Sequence, residues 1–200
     1  MATDPTSPSK PAFEARKREI LREAALAFVE QGYHQTSVND LAARLRVTKP
    51  VLYYYAKNKD DLLSQCGQIA FDELDVAMER ARAARLTGLG KLRSFFTAYA
   101  EIMCGDFGRC LALVDVKAMN EATRGGDIAA RRQLEASVRA MIAEGQGDGS
   151  IRDCDPAVAA RALFGAFNGV PRWFDPAAAL RSADVADLYL DLFVEGLRRR

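Results

Sequence analysis

Histidine is nearly absent from this chain: among 200 residues only His34 carries an imidazole. One histidine cannot build a catalytic triad unaided, and neither a Glu-x-x-His pair nor a Gly-rich phosphate loop stands elsewhere. The sequence therefore reads as a non-enzyme with no cofactor. The four cysteines, Cys66, Cys104, Cys110 and Cys154, never form a CxxC pair and have no histidine beside them. That pattern signals neither a zinc site nor a redox pair; reduced thiols in a cytoplasmic protein are expected. No apolar run approaches the ~20 residues needed to cross a bilayer, so no membrane partner is expected. Residues 1–11 hold three prolines and Asp4 in place of the basic start and apolar stretch of a secretion signal, and are expected to form a disordered arm. Net charge is only +1, which on its own says nothing about nucleic acid.

What is present is helix. With 49% hydrophobic residues the chain has material for a core. Ile20, Leu21, Ala24, Ala25 and Phe28 recur at three-and-four spacing, which predicts a helix over 13–31, stopped by Gly32. Ser37 and Asp40 form a capping box that opens a helix reaching residue 45. Leu45-Arg46-Val47 connects it to another over 49–55, which Thr48 can cap and whose first turn tolerates Pro50. A long helix is expected over 60–84 and an apolar one over 89–103. Gly105 to Gly108 reads as a turn and 111–121 as a short helix. Gly125-Gly126 then punctuates before a helix over 127–144, and 145–149 reads as a loop. Helices over 156–174 and 182–197 complete an all-α fold of about nine helices, with no convincing strand and no internal repeat.

Charge is distributed unevenly. Residues 1–59 hold ten Lys and Arg against six Asp and Glu, and the remainder 18 against 21. A basic head on a mildly acidic body suits nucleic-acid binding at one end. Two short helices joined by three residues and preceded by a longer helix make a helix-turn-helix, whose second helix lies in the major groove of double-stranded DNA. Thr48, Lys49, Tyr53 and Tyr55 offer hydroxyl, ammonium and phenol groups to phosphates and base edges. Leu52 points back to the partner helix, and Tyr54 is assigned to packing. Lys59 suits a phosphate, as does the helix N-terminus opened by Thr36 and Ser37.

Residues 32–42, 47–55 and 57–63 together resemble the DNA-binding signature of the tetracycline-repressor (TetR) family, over about a quarter of the chain. The resemblance implies a homodimer, usually a repressor, whose two heads meet successive major grooves of a palindromic operator. They separate unfavourably when a small molecule enters the C-terminal domain. By position it puts DNA contacts on Thr36, Ser37, Thr48 and Lys49, and on Pro50, Tyr53, Tyr55 and Lys59. It also implies a head over 12–59 and a ligand-binding and dimerisation domain over 60–200. Members usually carry Gly where this chain has Arg46, and often Phe or Val where it has Ala56. A left-handed backbone at Arg46 would cost roughly 1 kcal/mol.

The body is less specific. Phe95, Phe96, Tyr99 and Met103, with Met119, Phe164, Phe167 and Trp173, either wall a pocket for a hydrophobic ligand or simply fill a core. Phe71 and Leu74, counted with Asn168 in the same candidate pocket, stand on the long helix that leaves the head, where a small tilt would change the spacing of two heads. Residues 164–176, Asn168 included, resemble the penultimate helix of a TetR subgroup whose members often sense acyl-coenzyme A thioesters. Arg109, Lys117 and Arg172 are candidate anion partners. Gly165 and Gly169, four apart, let helices approach closely, which suits a dimer interface as well as a pocket. With Ala162, Ala166, Tyr189, Leu192 and Phe193 they form the candidate dimer contact, isologous about a two-fold axis. The alternative is a DNA-binding dimer regulated by a protein partner or by no small molecule at all.

Overall fold

The apolar spacing of the first helix produces a buried stripe, and the rest of the head is assembled on it. A computed structural model describes residues 10–115 and 121–197, the side chains of Ala122, Thr123, Gly196 and Leu197 excepted. Helix α1 (Lys10–Gln31) buries Ile20, Leu21, Ala24, Ala25 and Phe28 and ends at Gly32, whose φ of +87° suits glycine. Helix α2 (Val38–Arg44) packs on α1 and α3 (Lys49–Tyr55) on α2, with Leu41 and Leu52 in the shared core. Helix α4 (Lys59–Ala83) leaves the head and runs into the body. There α5 (Gly88–Cys104) is surrounded by α4, α6 (Asp106–Leu113), α7 (Glu121–Gly147), α8 (Pro156–Trp173) and α9 (Ser182–Leu197). These nine helices and no strand make up the described residues, and no helix is long and apolar enough to cross a membrane.

Several expected boundaries need correction, most of them at glycines. Residues 105–108 are not a turn: Gly105 alone separates α5 from α6, and Gly108 lies inside α6. A Cβ on Gly108 would collide with the backbone of Ile102 and Met103, so this glycine serves close helix approach, not chain reversal. The short helix consequently starts earlier than expected and ends at Leu113; residues 116–120 lie outside the described residues. Gly125 and Gly126 do not interrupt the chain but continue α7, at a cost that the surrounding good helix formers absorb. Gly145 is likewise helical: the N-terminus of α5 crosses there, so that a Cβ on Gly88 would strike the Gly145 backbone, while a Cβ on Gly145 would strike the Ile151 side chain. Of the expected arm, Lys10 and Pro11 belong to α1 and residues 1–9 lie outside the described residues.

Head and body are tied by charge as well as by packing. Arg22 of α1 pairs with Asp106 at the start of α6 at 2.5 Å, and Arg18 with Glu73 of α4 at 2.6 Å. The Arg18 guanidinium also lies 5.1 Å from the centroid of the Phe107 ring. These pairs are exposed, so each adds little stability, but together they fix the register of α1 on α4 and α6.

Candidate nucleic-acid interface and effector cavity

The two short helices of the head are held by local bonds that the sequence encodes directly. Ser37 Oγ accepts from the Asp40 amide at 3.2 Å while the Asp40 carboxylate accepts from the Ser37 amide at 2.9 Å, completing the capping box. These bonds hold the Asp40 carboxyl below its ordinary range. Arg44, at the end of α2, clamps Glu23 at 2.9 Å and Glu30 at 2.6 Å on α1. The connection then turns through Arg46, whose φ is +53°, the left-handed conformation that a Gly at this position would take without strain. Thr48 occupies the N-cap of α3, but its side chain makes no cap bond.

On α3 the expected face needs partial redrawing. Leu52 is buried and Tyr53 is 51% exposed, as expected of an anchor and a reader. Tyr54, assigned to packing, is 66% exposed, whereas Tyr55 is half-buried and stacks on Phe13 at 5.2 Å. Helical spacing explains the exchange: Tyr55 is three residues from Leu52 and shares its side, while Tyr54 lies nearly opposite. Thr48, Lys49 and Pro50 are exposed, and so is Ser37, whose hydroxyl serves the cap. Thr36 is corrected: its side chain is 1% exposed and its hydroxyl bonds to the Gly32 carbonyl at 2.9 Å, so it closes the α1–α2 turn from inside. Lys59 is also turned inward. Its Nζ donates to the carbonyls of Tyr33 (2.9 Å) and Thr36 (3.1 Å) and lies over the Tyr33 ring. Tyr33 in turn donates to Asp60, and burial with that carboxylate pushes the phenol above its ordinary pKa. The first residues of α4 are therefore fastened to the turn that supports α2.

In the body, a cavity of about 270 Å³ lies between α4, α5, α6, α7 and α8. Five expected residues line it: Phe71 and Leu74 from α4, Tyr99 from α5, and Phe164 and Asn168 from α8. Phe95, Phe96, Met103 and Phe167 do not; they are fully buried core, with Phe96 and Phe167 4.9 Å apart, because α5 has packed neighbours all round. Trp173 is half-exposed at the end of α8, away from the cavity. Met119 and Lys117 lie outside the described residues. Sequence reasoning missed the polar lining, Arg131, Glu135 and Arg161, since charges at helical spacing read as solvated faces. Arg172, a candidate anion partner, lines a shelf that adjoins the cavity through Arg131, Gly165 and Asn168. Arg109 lines neither and buries an Nε without a hydrogen-bond partner among the described residues.

Helix α8 has three faces. Ala160, Leu163, Phe167 and Val170 enter the core, and Arg161, Phe164 and Asn168 face the cavity. The third face presents Val158, Ala162, Gly165, Gly169 and Trp173, where a Cβ on either glycine would touch nothing within 4 Å. On α9, Leu188 is 59% and Leu192 75% exposed. Tyr189 and Phe193, expected in the same interface, turn instead to their own core, Tyr189 lying 5.6 Å from Phe167. Ala166 is half-buried between the two settings.

Comparison with known proteins accounts for both halves of the chain. Residues 20–66 match the model of bacterial regulatory proteins of the tetR family, and residues 86–197 match that of the tetracyclin repressor-like C-terminal domain. The chain is 34% identical to the TetR family transcriptional regulator PfmR from Thermus thermophilus, over 90% of this chain and 99% of that one, with a TM-score of 0.82. It is 22% identical to the fatty acid metabolism regulator protein of Bacillus subtilis (strain 168), over 91% of this chain and 95% of the relative. AibR, solved in complex with isovaleryl coenzyme A and operator DNA, has the same fold: TM-score 0.78 at 24% identity, covering 88% of this chain and 97% of AibR. The 29% identity to the transposon Tn10 TetC protein of Escherichia coli spans 44% of this chain and 45% of that protein, less than half of either. The chain belongs to the tetR family of bacterial regulatory proteins, which are DNA-binding transcriptional regulators and not enzymes.

Proposed function

We propose that this protein is a cytoplasmic homodimeric repressor whose α3 helices enter successive major grooves of a palindromic operator, and that an acyl-coenzyme A-like effector releases it. The observation that carries the reading is the placement of cavity and head on one helix. Phe71 and Leu74 of α4 wall the cavity, and Lys59, the first residue of the same helix, is bonded to the turn beneath α2. A ligand that changes how α4 sits changes where α3 points, and a coupling of about 1–3 kcal/mol is ordinary for such linkage.

The DNA face comprises Ser37, Thr48, Lys49, Pro50 and Tyr53, with Tyr54 added from its exposure. The third face of α8 and the exposed leucines of α9 supply a self-complementary surface. Two helices from each copy would form a four-helix interface around Gly165 and Gly169. Apolar side chains this exposed and this aligned favour a partner. The effector class is supported by the apolar cavity, the Arg172 shelf beside it, and the fold shared with a regulator that binds an acyl-coenzyme A.

Selection of bound sequences from random DNA tests the first part: a palindrome bound by two protomers is expected, and a single half-site bound by a monomer would contradict it. Leu192→Asp should convert the dimer to monomer in sedimentation and abolish operator binding at nanomolar protein. Release of the selected operator by octanoyl-coenzyme A tests the second part. A dimer that binds DNA and ignores every acyl-coenzyme A would favour control by a protein partner or by none.

A further inference from the structure

The charged groups around the cavity are paired with acids on the same walls. Arg131 donates through Nε to the Asp127 carboxylate at 2.7 Å and through Nη2 to the Leu111 carbonyl at 3.2 Å, and Asp127 is buried. Arg161 pairs with Glu135 at 3.3 Å. Tyr99, also buried, donates its hydroxyl to Asn168 Oδ1 at 2.5 Å. Burial raises the Tyr99 pKa, so the phenol keeps its proton and remains a donor. A phenol hydrogen on Oδ1 settles which way the Asn168 amide faces, with Nδ2 turned from Tyr99. Among the described residues Nδ2 donates to nothing, and Asn168 borders both the cavity and the outer shelf.

A ligand in this cavity therefore meets apolar walls, two ion pairs and, at the mouth, one uncharged amide donor that no described protein group occupies. A carboxylate bound deeply beside Arg131 would stand next to the buried Asp127 carboxylate and compete with it for one guanidinium. Weakening the pair of the buried Asp127 is strongly unfavourable, whereas Arg161, 70% exposed, offers a carboxylate only a solvent-facing contact at the rim. A neutral acyl chain disturbs neither pair, and its carbonyl supplies the acceptor that Nδ2 lacks. The volume, about 270 Å³, is at the low end of small-molecule sites and suits an acyl chain, not a whole coenzyme.

Accepting the cavity as the effector site proposed above, we infer that Asn168, oriented by Tyr99, reads the carbonyl of an acyl thioester at the cavity mouth, so that the protein responds to thioesters and not to free carboxylates. Asn168 touches the ligand; Tyr99 is a positioning residue that acts through it.

The test is release of the selected operator, followed by fluorescence anisotropy, with three probes on wild type, Asn168→Leu and Tyr99→Phe. The probes are octanoyl-coenzyme A, octyl-coenzyme A, a thioether with CH2 in place of the carbonyl, and octanoate. One neutral hydrogen bond is worth about a three- to tenfold preference for the thioester over the thioether in wild type. That ratio should fall to near one in Asn168→Leu and to an intermediate value in Tyr99→Phe, and octanoate should be the weakest probe on wild type. Equal operator affinity of the three proteins without effector shows that each is folded. A wild-type ratio near one would overturn the carbonyl reading while leaving an acyl-coenzyme A effector standing. Failure of both coenzyme A probes would instead overturn the effector proposal, and thermal shift with 2-octanone against octanoate then examines the cavity alone. Stabilisation by the ketone that Asn168→Leu removes retains Asn168 as the reader. Stabilisation by octanoate of equal size, or by neither probe, overturns it.

Discussion

Replacing Arg46 by glycine should stabilise this protein while weakening its hold on DNA. Arg46 has a φ of +53°, its side chain is exposed, and it makes no side-chain hydrogen bond or ion pair among the described residues. The left-handed backbone costs a non-glycine residue roughly 1–2 kcal/mol. The greater freedom of glycine in the unfolded chain offsets roughly 0.4–1 kcal/mol of that. A net gain of about 0.5–1 kcal/mol should raise the Tm by roughly 1–4 °C for a chain of this size. Arg46→Ala is the control: it removes the same charge but keeps a Cβ, so it should gain nothing. If the guanidinium meets a phosphate in the complex, both variants should lower the slope of log K against log salt by ~0.9 per protomer, or ~1.8 for a dimer on its operator. Urea denaturation and operator binding at several salt concentrations read both effects. Arg46→Gly no more stable than Arg46→Ala would refute the reasoning about strain.

Lys59→Met should cost about 1–3 kcal/mol in urea denaturation, because the carbonyls of Tyr33 and Thr36 lose their charged donor, and should leave the salt slope unchanged. Unchanged stability with a shallower slope would instead put Lys59 on a phosphate. The two helical glycine settings separate cleanly. Gly125→Ala, with open space around it, should stabilise by up to about 1 kcal/mol, whereas Gly145→Ala, pressed on Ile151, should destabilise by roughly 1–3 kcal/mol, both read by thermal melting. Asp148 accepts from the amides of Gly88 and Ser150, and its pKa is lowered by Ser150 first and Gly88 next. A depressed carboxyl contributes fully above its unfolded pKa of about 3.8 and loses that contribution as pH falls through the folded value. Asp148→Asn should therefore be less stable than wild type at neutral pH, flatten the acid limb of the stability profile and converge on wild type as pH falls through the folded pKa; an unchanged acid limb would contradict this.

The head was legible because each of its devices is local. A capping box needs only Ser37 and Asp40 at the right interval, and Gly32 and the interval from Ser37 to Thr48 fix where the chain turns. Helical spacing alone could have separated Tyr54 from Tyr55 by reference to Leu52. The inward turn of Thr36 and Lys59 could not be read, because their partners are backbone carbonyls, which every sequence offers equally. In the body, apolar periodicity found the helices but not their glycines. Gly108 and Gly88 face other backbones and Gly145 faces the Ile151 side chain, relations that exist only after packing. The same limit divided the aromatics: Phe96 and Phe164 have equal claims to a cavity on composition, and only the arrangement of α5 against α8 buries one and leaves the other at the edge. Arg131, Glu135 and Arg161 were invisible as lining because charges that pair at a cavity wall cannot be told from solvated charges in a sequence.

The most direct test of α3 as the reading helix compares the selected operator with random DNA for wild type and Tyr53→Ala at two salt concentrations. Loss of about 1–3 kcal/mol on the operator, with little change on random DNA and an unaltered salt slope, is the expected result. Equal loss on both DNAs would contradict base reading by this face.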